Sequence, residues 1–124
     1  MKSILLKVVS VDIRGTKTII PSTQFIKDAV NTPTANSGGF DVSEMQKRLR
    51  ILDAVEKVDK ENFDFKEEDI KKDGALDEIL KKEAILELED GDMKNLNDIF
   101  STAKFAIVCK EIPDLADRIA KTQK

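Results

Sequence analysis

The feature that most constrains the fold is a well-marked helix start with a long periodic run behind it, at residues 40 to 60. Asp41 is placed to accept the backbone N–H of Glu44 while Glu44 reaches back, the reciprocal pattern of a capping box, and Phe40 is placed to staple onto Met45. Behind that start, Met45, Leu49, Leu52, Val55 and Val58 recur at four, three, three and three residues, and Ile51 and Ala54 widen the stripe. This spacing predicts one buried face of an amphipathic helix from about Asp41 to Lys60. Gln46, Lys47, Arg50, Asp53, Glu56, Lys57 and Lys60 then face outward.

The flanking segments read as shorter elements. From Ser3 to Ile13 the chain is rich in β-branched residues, with Ile4, Leu6 and Val8 on one face. Arg14-Gly15-Thr16-Lys17 reads as a turn and Thr18-Ile19-Ile20 as the returning strand of a hairpin, stopped by Pro21. Ser22 or Thr23 caps a brief helix carrying Phe25, Ile26, Ala29 and Val30, which ends before Pro33. Residues 31 to 39 are turn-formers almost throughout. Downstream, Ala75 to Lys82 reads as partly helical, Ala84 to Leu88 as a strand, and Phe105 to Val108 as a buried turn or strand. A helix capped by Glu89 or Asp90 carries Met93, Leu96, Phe100 and Ala103 on one face with Ile99 beside them. The last helix starts at Pro113 and buries Leu115, Ala116, Ile119 and Ala120.

The expected fold is therefore a single compact α+β domain over residues 1 to 124, with a short N-terminal β-hairpin and a helical majority. Its core draws on Ile4, Leu6, Val8, Phe25, Met45, Leu49, Leu52, Val55, Leu86, Leu88, Leu96, Phe100 and Ile119.

Composition bears on chemistry more than on fold. The 124 residues include no His, Trp or Tyr and a single Cys. Without His the commonest general base, the Ser-His and Cys-His nucleophile pairs and the usual zinc ligand are all missing, and Cys109 has no base to activate it. One Cys also makes no internal disulfide. Gly38-Gly39 precedes a helix start, but no P-loop or dinucleotide fingerprint accompanies it, and Asp41 already occupies the position a phosphate would take. A calcium loop begun at Asp90 would need a ligand at Lys94 and a glycine at Asn95. The chain is therefore expected to be non-enzymatic, with no cofactor and no metal.

The net charge of −3 conceals a segregation. Residues 59 to 78 hold nine acids, among them Glu67, Glu68 and Asp69, against four lysines, and read as an acidic surface excursion beside a remainder at +2. Lys47, Arg48 and Arg50 form the only basic cluster. With no aromatic stacking set around it, that cluster reads as a solvated face or a protein interface, and nucleic acid is not expected as a partner. The expected protein-binding residues are accordingly Lys47, Arg48, Arg50, Glu67, Glu68 and Asp69. No apolar run suits a membrane span, and Met1-Lys2-Ser3-Ile4 lacks the apolar stretch of a signal peptide, so a reducing cytoplasm is the expected compartment.

Three stretches carry a family resemblance: Phe25-Ile26-Lys27-Asp28-Ala29-Val30-Asn31-Thr32-Pro33, then Gly38-Gly39-Phe40, then the helix from Glu44 to Lys57. With Leu86-Glu87-Leu88-Glu89-Asp90-Gly91-Asp92 downstream, they are similar to a family of small phage and prophage proteins of poorly defined role. The resemblance implies a protein acting by contact in the host cytoplasm or in the virion. Its partner would be a phage structural protein during virion or tail assembly, or a further copy of itself. The alternative is a regulator that binds and inhibits a host protein, with the acidic segment 59 to 78 mimicking nucleic acid.

Overall fold

A computed structural model describes residues 1–13, 15–32, 39–63, 75–105 and 109–123. The N-terminal alternation folds as expected into a hairpin, β1 (Lys2–Ile13) and β2 (Thr16–Pro21), paired antiparallel with Val8 opposite Pro21 and Ile13 opposite Thr16. Gly15 sits between them at a φ of 82°, a left-handed conformation that a side chain resists. Among the described residues, five helices and one more strand follow: α1 (Ser22–Val30), α2 (Val42–Asn62), α3 (Ala75–Leu80), β3 (Glu83–Leu88), α4 (Asp90–Thr102) and α5 (Glu111–Lys121). The domain is thus α+β.

β3 pairs antiparallel with the first half of β1, Lys2 opposite Leu88 and Lys7 opposite Glu83, giving the order β2-β1-β3. Ile4, Leu6 and Val8 of β1 and Ala84, Leu86 and Leu88 of β3 are buried together with Phe25, Ile26, Ile51, Val55, Met93, Leu96, Leu115 and Ile119. One sheet face therefore supplies six residues of the core and helices supply most of the rest, the layering that lets a strand's alternate residues leave water. Phe105 closes one end of this core, its ring 6.4 Å from Phe25 in an edge-on arrangement and 5.4 Å from Phe100. The continuation expected as a buried turn, residues 106 to 108, lies outside the described residues.

β1 outruns both neighbours. Along Lys2 to Lys7, no strand among the described residues lies beside the edge away from β3, and side chains take three of its backbone groups. Arg118 Nε donates to the Leu5 carbonyl at 3.0 Å. Ser22 Oγ accepts from the Lys7 N–H at 3.2 Å and donates to the Lys7 carbonyl at 2.8 Å. Buried backbone groups left unpaired are costly, which accounts for a fully buried serine at this position.

Four sequence expectations are corrected here. Ser22 and Thr23 do not cap α1 with their side chains, because both hydroxyls make tertiary bonds, Ser22 to β1 and Thr23 to the Asp59 carboxylate. Glu89 precedes α4 without a side-chain capping bond. In α5 Ala120 is exposed, and the buried face is Glu111, Leu115 and Ile119. Most consequentially, α2 buries Arg48, Ile51 and Val55, while Met45 and Leu49 of the expected core are exposed and Leu52 is half-buried.

Candidate interaction surface

The start of α2 is built as expected on one side of its capping box only. Asp41 accepts the Glu44 N–H at 2.7 Å, and the Met45 N–H donates to the Asp41 carbonyl at 2.9 Å. Glu44 turns forward rather than back: its carboxylate accepts from Arg48 Nε at 3.0 Å, one helical turn on. The Phe40 ring lies under the Arg48 guanidinium, 4.3 Å from its centroid.

Arg48 is the pivot of this region. It is only 4% exposed, and Nη1 donates to the Val30 carbonyl at 2.7 Å and the Thr32 carbonyl at 3.2 Å, with the Ala29 carbonyl at 3.5 Å. The last carbonyls of a helix lack intrahelical partners and carry its negative dipole end, so a guanidinium there closes α1 and ties it to α2. A helix advances by about 100° per residue, so neighbours in sequence are not neighbours in space. Lys47 is half-buried, whereas Arg50 is exposed and pairs with Asp92 of α4 at 3.1 Å. The structure thus distributes the three cations around α2: Arg48 inward, Arg50 across to α4, and Lys47 between. Glu67, Glu68 and Asp69 lie outside the described residues.

Beside its polar residues, α2 also presents apolar ones to solvent. Val42, Met45 and Leu49 are 70%, 46% and 54% exposed. Spaced three and four apart, they fall in one row on the first two turns. Leu49 lies roughly 160° around the helix from Ile51 and roughly 120° from Val55, at 100° per residue, so the apolar residues of α2 occupy two faces. The sequence does carry a signal for this, since a single core-facing stripe has no room for both Leu49 and Ile51. Val42, at the helix start, is outside the row as read from periodicity.

Open clefts among the described residues include two beside charged side chains. One, of about 500 Å³, is lined by Lys7, Val9, Val11, Cys109, Lys110 and Glu111. Its buried Glu111 carboxylate is already taken by Arg118 and by Lys7, whose Nζ is 3.7 Å away. That arrangement anchors the start of α5 to β1. The other, of about 490 Å³, lies beside Lys27, Asp59 and Phe63, where the Asp59 carboxylate is shared between Lys27 Nζ and the Thr23 hydroxyl. Among the described residues, no cluster of Cys, Asp and Glu side chains is arranged to hold a metal ion, and no helix is long and apolar enough to cross a membrane. No family model, curated protein or solved structure matches the chain.

Proposed function

We propose that the protein acts by contact rather than by catalysis, as a phage-encoded interaction protein that assists virion or tail assembly or fills a small structural position in the particle. The observation that carries the reading is the exposed row Val42, Met45 and Leu49. Large apolar side chains grouped on one helix face lose favourable burial for as long as they stay in water, and such a face suits an apolar groove or helix of a partner protein. The row also lies within residues 25 to 57, the stretch that resembles small phage and prophage proteins. The partner in this reading is a phage structural protein, met in the host cytoplasm or in the particle.

The test is co-purification of the tagged full chain from phage-producing cells, beside the double variant Met45→Ser and Leu49→Ser. The wild-type chain should bring down a phage head or tail protein, identified by mass spectrometry. The double variant should lose it while keeping the same helical circular dichroism. If no phage structural protein accompanies the wild-type chain, or the variant retains it fully, the reading is wrong.

A further inference from the structure

The two edges of the sheet are treated differently, and the difference points to a second contact site. On the edge of β1 facing α5 and α1, Arg118 takes the Leu5 carbonyl and Ser22 takes both backbone groups of Lys7. Those bonds also set the phase of the sheet. Leu5 and Lys7 direct their backbone groups away from β3, so Ile4 and Leu6 direct theirs toward it, and their partners Leu86 and Ala84 form the hydrogen-bonded pairs. By alternation, Glu83, Ile85 and Glu87 aim N–H and C=O at the outer edge of β3. Among the described residues, no hydrogen bond reaches those groups, and β3 pairs with no strand other than β1.

An unpaired edge is a template for another strand, and proteins commonly blunt it with Lys, Pro, a bulge or a covering element. β3 has no Lys or Pro, its register with β1 runs without a bulge, and its middle residue, Ile85, is 52% exposed. The flanking side chains on the same face are Glu83 and Glu87, both exposed. This charge pattern discriminates between occupants. A second copy paired antiparallel about Ile85 would set Glu83 against Glu87 twice, and like charges directly opposite destabilise a sheet. A strand with Lys or Arg on either side of an apolar residue would meet both carboxylates and cover Ile85.

We propose that the outer edge of β3 is a strand-addition site for an extended protein segment of the pattern basic, any, apolar, any, basic. This contact is independent of the α2 face, with which it shares no residue. Main-chain hydrogen bonds would supply the affinity, and the two glutamates the choice of partner.

The probe is a capped synthetic peptide containing Lys-Thr-Val-Thr-Lys, titrated at low salt into the full-length ¹⁵N-labelled chain. Controls are the same peptide with Glu in place of Lys, and one N-methylated at the residues that would bond to β3. The amides of Glu83, Ile85 and Glu87 should shift and gain protection from hydrogen exchange with the basic peptide. Both controls should bind at least about tenfold more weakly, equivalent to roughly 1.4 kcal/mol. The double variant Glu83→Lys and Glu87→Lys should invert the preference toward the Glu peptide, a result that a merely destabilised fold does not produce. Unchanged β3 amides, equal binding of the N-methylated peptide, or self-association of the chain through β3 would each overturn the proposal.

Discussion

Replacing Arg48 by Met separates a structural cation from a surface one. The guanidinium is nearly inaccessible and gives its shortest bonds to the carbonyls of Val30 and Thr32, at 2.7 and 3.2 Å. Hydrogen bonds from a charged donor contribute about 1.5–3 kcal/mol each. The contact with the Phe40 ring adds about 0.5–1 kcal/mol. The pair with Glu44, whose side chain is 36% exposed, adds only about 0.3–0.5 kcal/mol. Met removes the desolvation cost of the cation and keeps much of the packing of its stem, which offsets part of the loss. The balance is a destabilisation of about 2–4 kcal/mol, a large share of the ~5–15 kcal/mol that holds a typical domain together. With no Trp or Tyr in the chain, the assay is urea unfolding followed by circular dichroism at 222 nm. Arg48→Met should lower the midpoint by about 1–2 M at a typical slope for this size. Arg48→Lys should recover little, since a point charge does not reproduce the planar fork. Arg50→Met should stay within about 0.5 kcal/mol of wild type, because its pair with Asp92 is exposed on the arginine side. If Arg48→Met unfolds within about 0.5 kcal/mol of the wild-type chain, the account of Arg48 as the cap of α1 is wrong.

Two further predictions rest on the same packing. Leu49→Ala should change stability by no more than about 0.5 kcal/mol whereas Ile51→Ala costs about 2–5 kcal/mol, measured by the same unfolding curves; equal costs would place Leu49 in the core. Ser22→Ala leaves the N–H and C=O of Lys7 without their partner and should cost about 1–3 kcal/mol, with faster amide exchange at Lys7 in NMR than at Leu6, whose backbone faces β3; unchanged exchange at Lys7 would refute the edge-closing role.

The hairpin, the strand at Ala84 to Leu88 and the helices around Asp41, Met93 and Leu115 were legible because each rests on local cues: a two-residue period, a 3.6-residue period, a turn glycine, an acidic helix start. The misreadings have two causes. Ser22 and Thr23 have the chemistry of helix caps, but each lies within reach of a partner brought close by folding, and the tertiary bond won, whereas Glu44 turns to Arg48 one turn along its own helix. Arg48 looked like one of three surface cations because its charge argues against burial unless carbonyls and a carboxylate are already waiting. Of the two candidate surfaces, the α2 row was visible as apolar residues but assigned to the wrong side. The edge of β3 was not visible, since nothing in a strand's own residues says which of its edges will be paired.

By itself the sequence determined the class of the fold, most of its elements, and the absence of His from any chemistry the chain performs. Periodicity and residue inventory are properties of a segment or of a list, and need no long-range contact. The tertiary structure decided how far α2 is rotated, that Arg48 closes α1, and that β3 lies beside β1 with its acidic edge unpaired among the described residues. Those outcomes depend on which groups meet across distances of tens of residues, where burial and hydrogen-bond satisfaction must be settled for both partners at once.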